Sequence, residues 1–445
     1  MHRVLPFLLL LSLVFPVIGE EKQSIDSLRI PASDEGLAGT GPIRRYDWFQ
    51  ELWLEKRQGW AKQVTPDQGA LVFLGDSITQ SWTQLAQAFP GVKVANRGIS
   101  GDTTRGVLLR LKGDVMDLNP SGIVLLIGTN DLEEEAEPSS TAGNLSLILK
   151  ALKTHNPKMP IILSQVFPAS ASMKRPADKI SEINKLYAEA VKGDPQITML
   201  DTWTLFADDK GDAKKDEFPD LLHPNGRGYD KWAAALRPLM ATLGFLENEP
   251  DTFTPEPGFV SLFNGQDLTG WGYRPTTEAM KKQAANWKKN DPNAPPWPVV
   301  AKTIPFTGMK ASPDGRYLAK NGRLVVTTPP EGRKIQQLWT TKEYAQDFVL
   351  KLEFRATPNA DSGVFLRGKQ LQCRDFLLAG PYTELRAYKP QDWNELMVTV
   401  TGETALCTVN GEVIENAFKI PASGPLGLEG DRGQVEYRRI RIMQR

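Results

Sequence analysis

Three kinds of residue or segment are scarce in this chain, and each scarcity excludes something. Among 445 residues there are two cysteines, Cys373 and Cys407, so a disulfide-stapled scaffold is excluded. One disulfide between them and two buried thiols on β-strands both fit. Histidine occurs three times, as His2, His155 and His223; so few ligands do not build a zinc cage, and no metal or cofactor is expected. An excess of one charge is missing too. The 53 basic and 53 acidic residues cancel, with pI near 6.9, which gives no basis for nucleic-acid binding.

Long apolar runs are lacking beyond the first. Val4 to Ile18 is apolar, follows Met1-His2-Arg3 and ends in Gly19-Glu20-Glu21, the pattern of a secretory signal peptide over 1–19. An uncleaved anchor is the alternative, although the run is short for a bilayer span. The mature chain is therefore expected to be exported, to the periplasm, cell envelope or outside, with no membrane span.

What is present is ordinary globular material, 40% hydrophobic and 24% charged, long enough for two or three domains at ~150 residues each. Residues 20–45 read as a polar N-terminal extension. Tyr46 to Lys62, with Trp48, Leu52, Trp53 and Trp60 on an amphipathic stretch, reads as a helix. Short unalternating apolar runs then recur at Ala70–Leu74, Val92–Ala95, Gly122–Ile127, Pro160–Leu163 and Ile197–Leu200, as buried parallel strands do. Between them lie helical patterns, with Ser139 and Ser140 as expected N-caps of one and Asn144-Leu145-Ser146, a formal glycosylation triplet, inside it. This implies an α/β three-layer sandwich with a parallel sheet over 46–247.

A linker is expected over 248–257, with Pro250, Pro255 and Pro257. Beyond it the period becomes two: Phe348, Leu350, Leu352 and Phe354 alternate with Val349, Lys351, Glu353 and Arg355, and Asn410-Gly411 marks a hairpin. Residues 258–445 thus read as an all-β sandwich.

Three of the predicted parallel strands end in polar residues at the edge where such sheets bind ligands: Gly75-Asp76-Ser77, Asn96 to Asp102, and Gly128-Thr129-Asn130-Asp131. Acyl transfer needs a nucleophile, a base, a group to orient the base, and donors for the oxyanion. Ser77 supplies a hydroxyl at a tight strand-to-helix turn. His155, in a helix-ending turn, reads as a surface cap, whereas His223 has Asp220 three residues upstream. The N–H groups of Ser77 and Gly101 and the amide of Asn130 are placed to receive an oxyanion. Asp76 reads as a turn-capping carboxylate, and Asp131 with Glu133 to Glu137 as a solvated helix start.

These blocks, in this order, resemble the SGNH (GDSL-type) hydrolases over residues 70–243, with Ser77, Gly101, Asn130 and His223 matching the four residues that name the family. Leu74-Gly75-Asp76-Ser77, Gly101-Asp102-Thr103-Thr104 and Gly128-Thr129-Asn130-Asp131 are similar to its platelet-activating-factor acetylhydrolase-like branch, and Asp220-x-x-His223-Pro224 to its last block. The resemblance implies a flavodoxin-like fold and a Ser77–His223–Asp220 triad. The string Gly258 to Trp271, with Asp361 to Gly368 and Trp393-Asn394-Glu395, resembles the 3-keto-disaccharide hydrolase domain, which implies a concanavalin-like jelly roll. That family usually carries a Glu-x-Gln strand; here Leu371-Gln372-Cys373-Arg374 stands instead. Arg367 is the candidate sugar contact, and Trp393 reads as core.

Together these readings imply an exported serine esterase acting on acyl, chiefly acetyl, esters of a small molecule or polysaccharide. The alternatives are a carbohydrate-binding protein with a vestigial esterase fold, and a bifunctional esterase and 3-keto-glycoside hydrolase.

Overall fold

The computed structural model describes residues 25–246 and 251–445. The expected signal peptide, the first residues of the extension and the start of the linker lie outside the described residues. Among the described residues, the N-terminal half runs α1 (Asp47–Ala61), β1 (Leu71–Gly75), α2 (Ser77–Gln80), α3 (Leu85–Ala88), β2 (Val94–Gly98), α4 (Thr104–Asp114), β3 (Gly122–Leu126), α5 (Thr129–Glu133), α6 (Pro138–His155), β4 (Ile161–Ser164), α7 (Ala177–Val191), β5 (Ile197–Leu200), α8 (Thr202–Phe206) and α9 (Gly226–Leu243). Its five strands are parallel, in the order β2-β1-β3-β4-β5.

The middle strands are covered on both faces, which is why they are continuous apolar runs. Leu145, Ile148, Leu152, Ile180 and Ile183 pack on one face, and Trp82, Phe167, Trp232, Leu236 and Leu239 on the other. This is the expected three-layer sandwich. The crossover from β1 runs one way to β2, and the next, from β2, runs back past β1 to β3 on its other side. Such a switch point opens a crevice at the carboxyl ends of the strands.

One helix starts differently from expectation. Neither Ser139 nor Ser140 caps α6; it begins at Pro138, whose fixed φ and missing N–H suit a first helical position. Asn144 lies inside that helix, 1% exposed, and exchanges hydrogen bonds with the backbone of Thr40, so the acceptor asparagine of the glycosylation triplet is buried. The described part of the extension is no loose tail. Ile30 and Ile43 share a small core with Phe49, Trp53 and Ile99, and the Leu28 carbonyl accepts from Trp53 Nε1 and Arg57 Nη1.

The C-terminal half is two antiparallel sheets face to face, a jelly-roll-like sandwich. The eight-stranded sheet has Phe348–Ala356 and Val435–Gln444 near its centre, and the six-stranded sheet has Asp361–Leu366, Gly427–Arg432 and Arg333–Thr340. Tyr317, Leu338, Leu352, Phe354, Leu428 and Tyr437 belong to the core between them. Cys373 and Cys407 are both buried and unpaired.

Candidate active site

The local chemistry of each strand end explains where its polar residue sits. Asp76 Oδ1 accepts from the Ile78 N–H at 3.0 Å and caps α2, so Ser77 occupies the first helical turn, where N–H groups have no partner within the helix. Gly75 pairs with Gly98 on β2 and with Leu126 on β3, which brings the three following loops together. A side chain at Gly98 would strike the Gln80 backbone N, 2.2 Å from an ideal Cβ. Gly101 has φ +87, and an ideal Cβ there would lie 2.8 Å from both Trp48 and Arg44. Glycine adopts that positive φ without strain, which other residues do not.

The structure brings Ser77, His223 and Asp220 into one line. His223 Nε2 is 3.0 Å from Ser77 Oγ, and His223 Nδ1 is 2.7 Å from Asp220 Oδ2. The other carboxylate oxygen, Oδ1, accepts the backbone N–H groups of Leu222 (3.0 Å) and His223 (2.7 Å). To make this turn, Leu221 adopts φ +63, an uncommon state for a side chain branched at Cγ. Burial by itself would raise the Asp220 pKa; the His223 and Leu222 donors outweigh it and hold the carboxylate below its usual value. A carboxylate can only accept, so Nδ1 carries the proton and Nε2 is left to accept from the serine. Ser77 is 9% exposed, but the side chains of His223 and Asp220 are 39% and 50% exposed. The cleft is open.

Asn130, on α5, is 3% exposed. Its Nδ2 donates to the Asp102 carbonyl at 2.9 Å and its Oδ1 accepts from Arg175 Nη2 at 2.8 Å. Behind this site lies a buried polar layer that motif reading did not reveal. Arg110 and Asp102, both fully buried, pair at 2.7 Å, and Arg110 Nη2 donates to the carbonyls of Gly75 and Arg97, tying the ends of β1 and β2. Burial raises Asp76 and Asp102 to about 6 and Asp131 to about 7. Asp76 Oδ2 is buried without a hydrogen-bond partner. Asp131 is not solvated as expected: it is 0% exposed and accepts from the Thr104 N–H and hydroxyl. Glu133 and Glu134 are not free either, since both pair with Arg44.

The rim beside Gly101 is aromatic. Tyr46 and Trp48, 53% and 50% exposed, stack with centroids 6.4 Å apart and planes 11° from parallel. Tyr46 also donates to Glu134 at 3.2 Å. The sequence showed these rings only as part of an amphipathic helix. His155 is exposed at the end of α6, away from this cluster.

Arg367 does not reach an open surface. It is 2% exposed, and its Nη atoms donate to the carbonyls of Gly402, Pro421, Ala345 and Gln346. Trp393 is not core: it is half-buried under the guanidinium groups of Arg438 and Arg355, 4.1 and 4.8 Å from its ring centre. The polar face of the sandwich lies elsewhere. Cross-strand pairing sets Gln337, Glu429, Gly363 and Gln372 side by side and Trp339, Gly427, Phe365 and Gln370 in the next row. Leu338, Leu428 and Val364, one residue along, point to the core. Glu429 accepts from Gln370, and burial and the neighbouring Asp361 and Asp431 raise it to about 8.

Residues 73–231 match the GDSL-like lipase/acylhydrolase family, and residues 258–443 match the 3-keto-alpha-glucoside-1,2-lyase-like domain. The chain is similar to the platelet-activating factor acetylhydrolase IB subunit alpha2 of Homo sapiens and of Bos taurus. Each is 30% identical over 205 residues, covering 45% of this chain and 88% of the relative. A solved GDSL-like lipase from Bacteroides thetaiotaomicron is 26% identical, with a TM-score of 0.37, covering 43% of this chain and 97% of that one.

Proposed function

From the premise that the chain belongs to the GDSL-like lipase/acylhydrolase family, we propose that it is an exported serine esterase that removes acetyl groups from carbohydrate. The observation that carries the chemistry is the continuous chain Ser77 Oγ–His223 Nε2–Asp220. Ser77 Oγ attacks the ester carbonyl carbon as its proton passes to His223 Nε2. The carbonyl π electrons move onto oxygen, where the N–H groups of Ser77 and Gly101 and the free N–H of Asn130 meet the charge. Collapse expels the alcohol, which takes the proton from His223. Water, deprotonated by the same nitrogen, then cleaves the acyl-enzyme and releases the acid.

Two observations support a sugar as the alcohol. The C-terminal half matches a glucoside-acting domain family. The stacked Tyr46 and Trp48 offer a flat apolar face beside Gly101, on which the C–H face of a pyranose can pack. Two measurements test the reading. Release of acetate from p-nitrophenyl acetate should fall by ~10³ or more in Ser77→Ala; an unchanged rate would leave only a binding protein on an esterase fold. Trp48→Ala should lower kcat/KM for acetylated xylo-oligosaccharides several-fold more than for p-nitrophenyl acetate, and an equal loss on both removes the sugar from the reading.

Glu429 favours a second activity. A carboxyl titrating at about 8 remains protonated at neutral pH and can serve as a general acid, on a face that also carries Trp339 and Phe365. The sandwich then acts on a keto-sugar in its own right. Product analysis with a 3-keto-glucoside is the check: Glu429→Gln should abolish turnover without changing acetate release, and no turnover by the wild type rules the activity out.

A further inference from the structure

We propose that Arg175 is a positioning residue of the oxyanion hole, acting through Asn130 and never touching the substrate; this rests on the esterase reading, in which Asn130 receives the developing charge. An asparagine amide has two nearly isosteric orientations, and only one presents N–H to an oxyanion. Here both ends of the amide are held. Nδ2 gives one N–H to the Asp102 carbonyl at 2.9 Å, and Oδ1 accepts from Arg175 Nη2 at 2.8 Å. Turning the amide over would set Nδ2 against a guanidinium and Oδ1 against a carbonyl oxygen, replacing two attractions with two repulsions. The second N–H on Nδ2 is therefore fixed in direction before substrate arrives, which is what lets such a donor act without reorganising. A cation on the amide oxygen also draws electron density from the nitrogen and strengthens the remaining N–H as a donor.

The loop that carries Arg175 is built to hold it still. Asn184 clamps the loop's start by accepting from the Val166 N–H and donating to its carbonyl. A 3₁₀ turn over Ala171–Met173 follows, with Ser170 as its cap and Lys174 at φ +57. Arg175 then donates its backbone N–H to Ser170 and Nη1 to the Met173 carbonyl. Glu133 accepts from the same Nη2 at 2.7 Å and also from Arg44, so the buried guanidinium has its counter-charge beside Asn130. Yet Arg175 Nε is buried with no partner. Leaving a buried donor unpaired lowers stability, so the position is poorly suited to a purely structural arginine.

The test is a double-mutant cycle on the full chain with p-nitrophenyl acetate, with folding checked by thermal denaturation. Arg175→Met should lower kcat ~10–100-fold, a part of the ~10²–10³ that a full oxyanion donor supplies, with KM changed less than about threefold. In an Asn130→Ala background the same substitution should change kcat less than about threefold, because the group it orients is gone. An equal loss in both backgrounds overturns the proposal, since a purely structural arginine would cost the same with or without Asn130. So does a kcat within about threefold of wild type in Arg175→Met. If Arg175→Met does not fold, Arg175→Lys, which keeps the charge but not the fork, is run through the same cycle under the same two criteria. Ser77→Ala is measured alongside: activity persisting there sinks the esterase reading itself, whereas activity lost there with additive Arg175 effects sinks only this inference.

Discussion

Asp220 divides its two oxygens between tasks, one accepting backbone N–H groups that shape the turn and the other holding the imidazole. Asp220→Asn keeps the shape but offers an N–H to His223 Nδ1, which selects the wrong tautomer. The substitution should reduce kcat by ~10⁴ with little change in Tm; steady-state kinetics beside a melt tests both halves of that statement. Asp131 is a residue of another kind. Burial lifts its carboxyl to about 7 against the downward pull of the Thr104 donors, so the folded chain keeps a proton that the unfolded chain gives up from about pH 4. The contribution of this group to stability therefore declines as pH rises from roughly 4 to 7 and is level above. Asp131→Asn cannot lose a proton. Its Tm relative to wild type should climb through that window, and a constant difference from pH 4 to 8 would refute the assignment.

Among the elements, β1 and β2 matter most, because Ser77 and Gly101 follow from their ends. Their register is held there by Arg110, which bonds the carbonyls of Gly75 and Arg97 while paired with Asp102. Removing one partner of a buried pair leaves an uncompensated charge, at ~3–5 kcal/mol. Arg110→Met should lose about that much in urea unfolding and lower activity even at temperatures where it stays folded; a loss below about 1 kcal/mol would mean the pair is dispensable. The segment before α1 acts at the same scale. It brings Arg44 to Glu133 and Glu134 and, with the first turn of α1, carries Tyr46 and Trp48 to the rim, so the two together form a wall of the cleft.

At the scale of the whole molecule, the two halves touch through specific hydrogen bonds. Gln434 Nε2 donates to the Pro238 carbonyl and the Thr242 hydroxyl on α9, each at 3.0 Å. Lys320 Nζ donates to the Thr242 carbonyl at 2.6 Å, and Asn359 Nδ2 to Asp201 at 2.8 Å. The segment expected as a linker is docked on the C-terminal half where it is described. Asp251 pairs with Arg439 and Glu256 with Arg441, and Phe253 and Phe259 lie under those guanidiniums. Such contacts couple the unfolding of the halves. Gln434→Ala, which removes a buried donor worth ~1–3 kcal/mol, should split or broaden a single calorimetric transition. An unchanged single peak would show that the halves are coupled by other contacts.

The sequence by itself determined the parts that depend on neighbours along the chain. The parallel strands were legible because burial on both faces forces apolar runs, and the sandwich because one covered face forces alternation. Ser77, Gly101, Asn130 and His223 were legible because each sits in a short block whose turn needs particular residues. Only tertiary structure decided the rest. Arg175 meets Asn130, Arg110 meets the ends of two strands, and Arg44 meets Glu133 across long stretches of chain, where no spacing rule links the partners. The same limit misplaced Arg367 and Trp393: a strand pattern gives alternation, but whether a guanidinium faces ligand or backbone carbonyls depends on the loops that close over it. Asp131 was misread for that reason as well, since an acidic run looks solvated until another helix buries its first member.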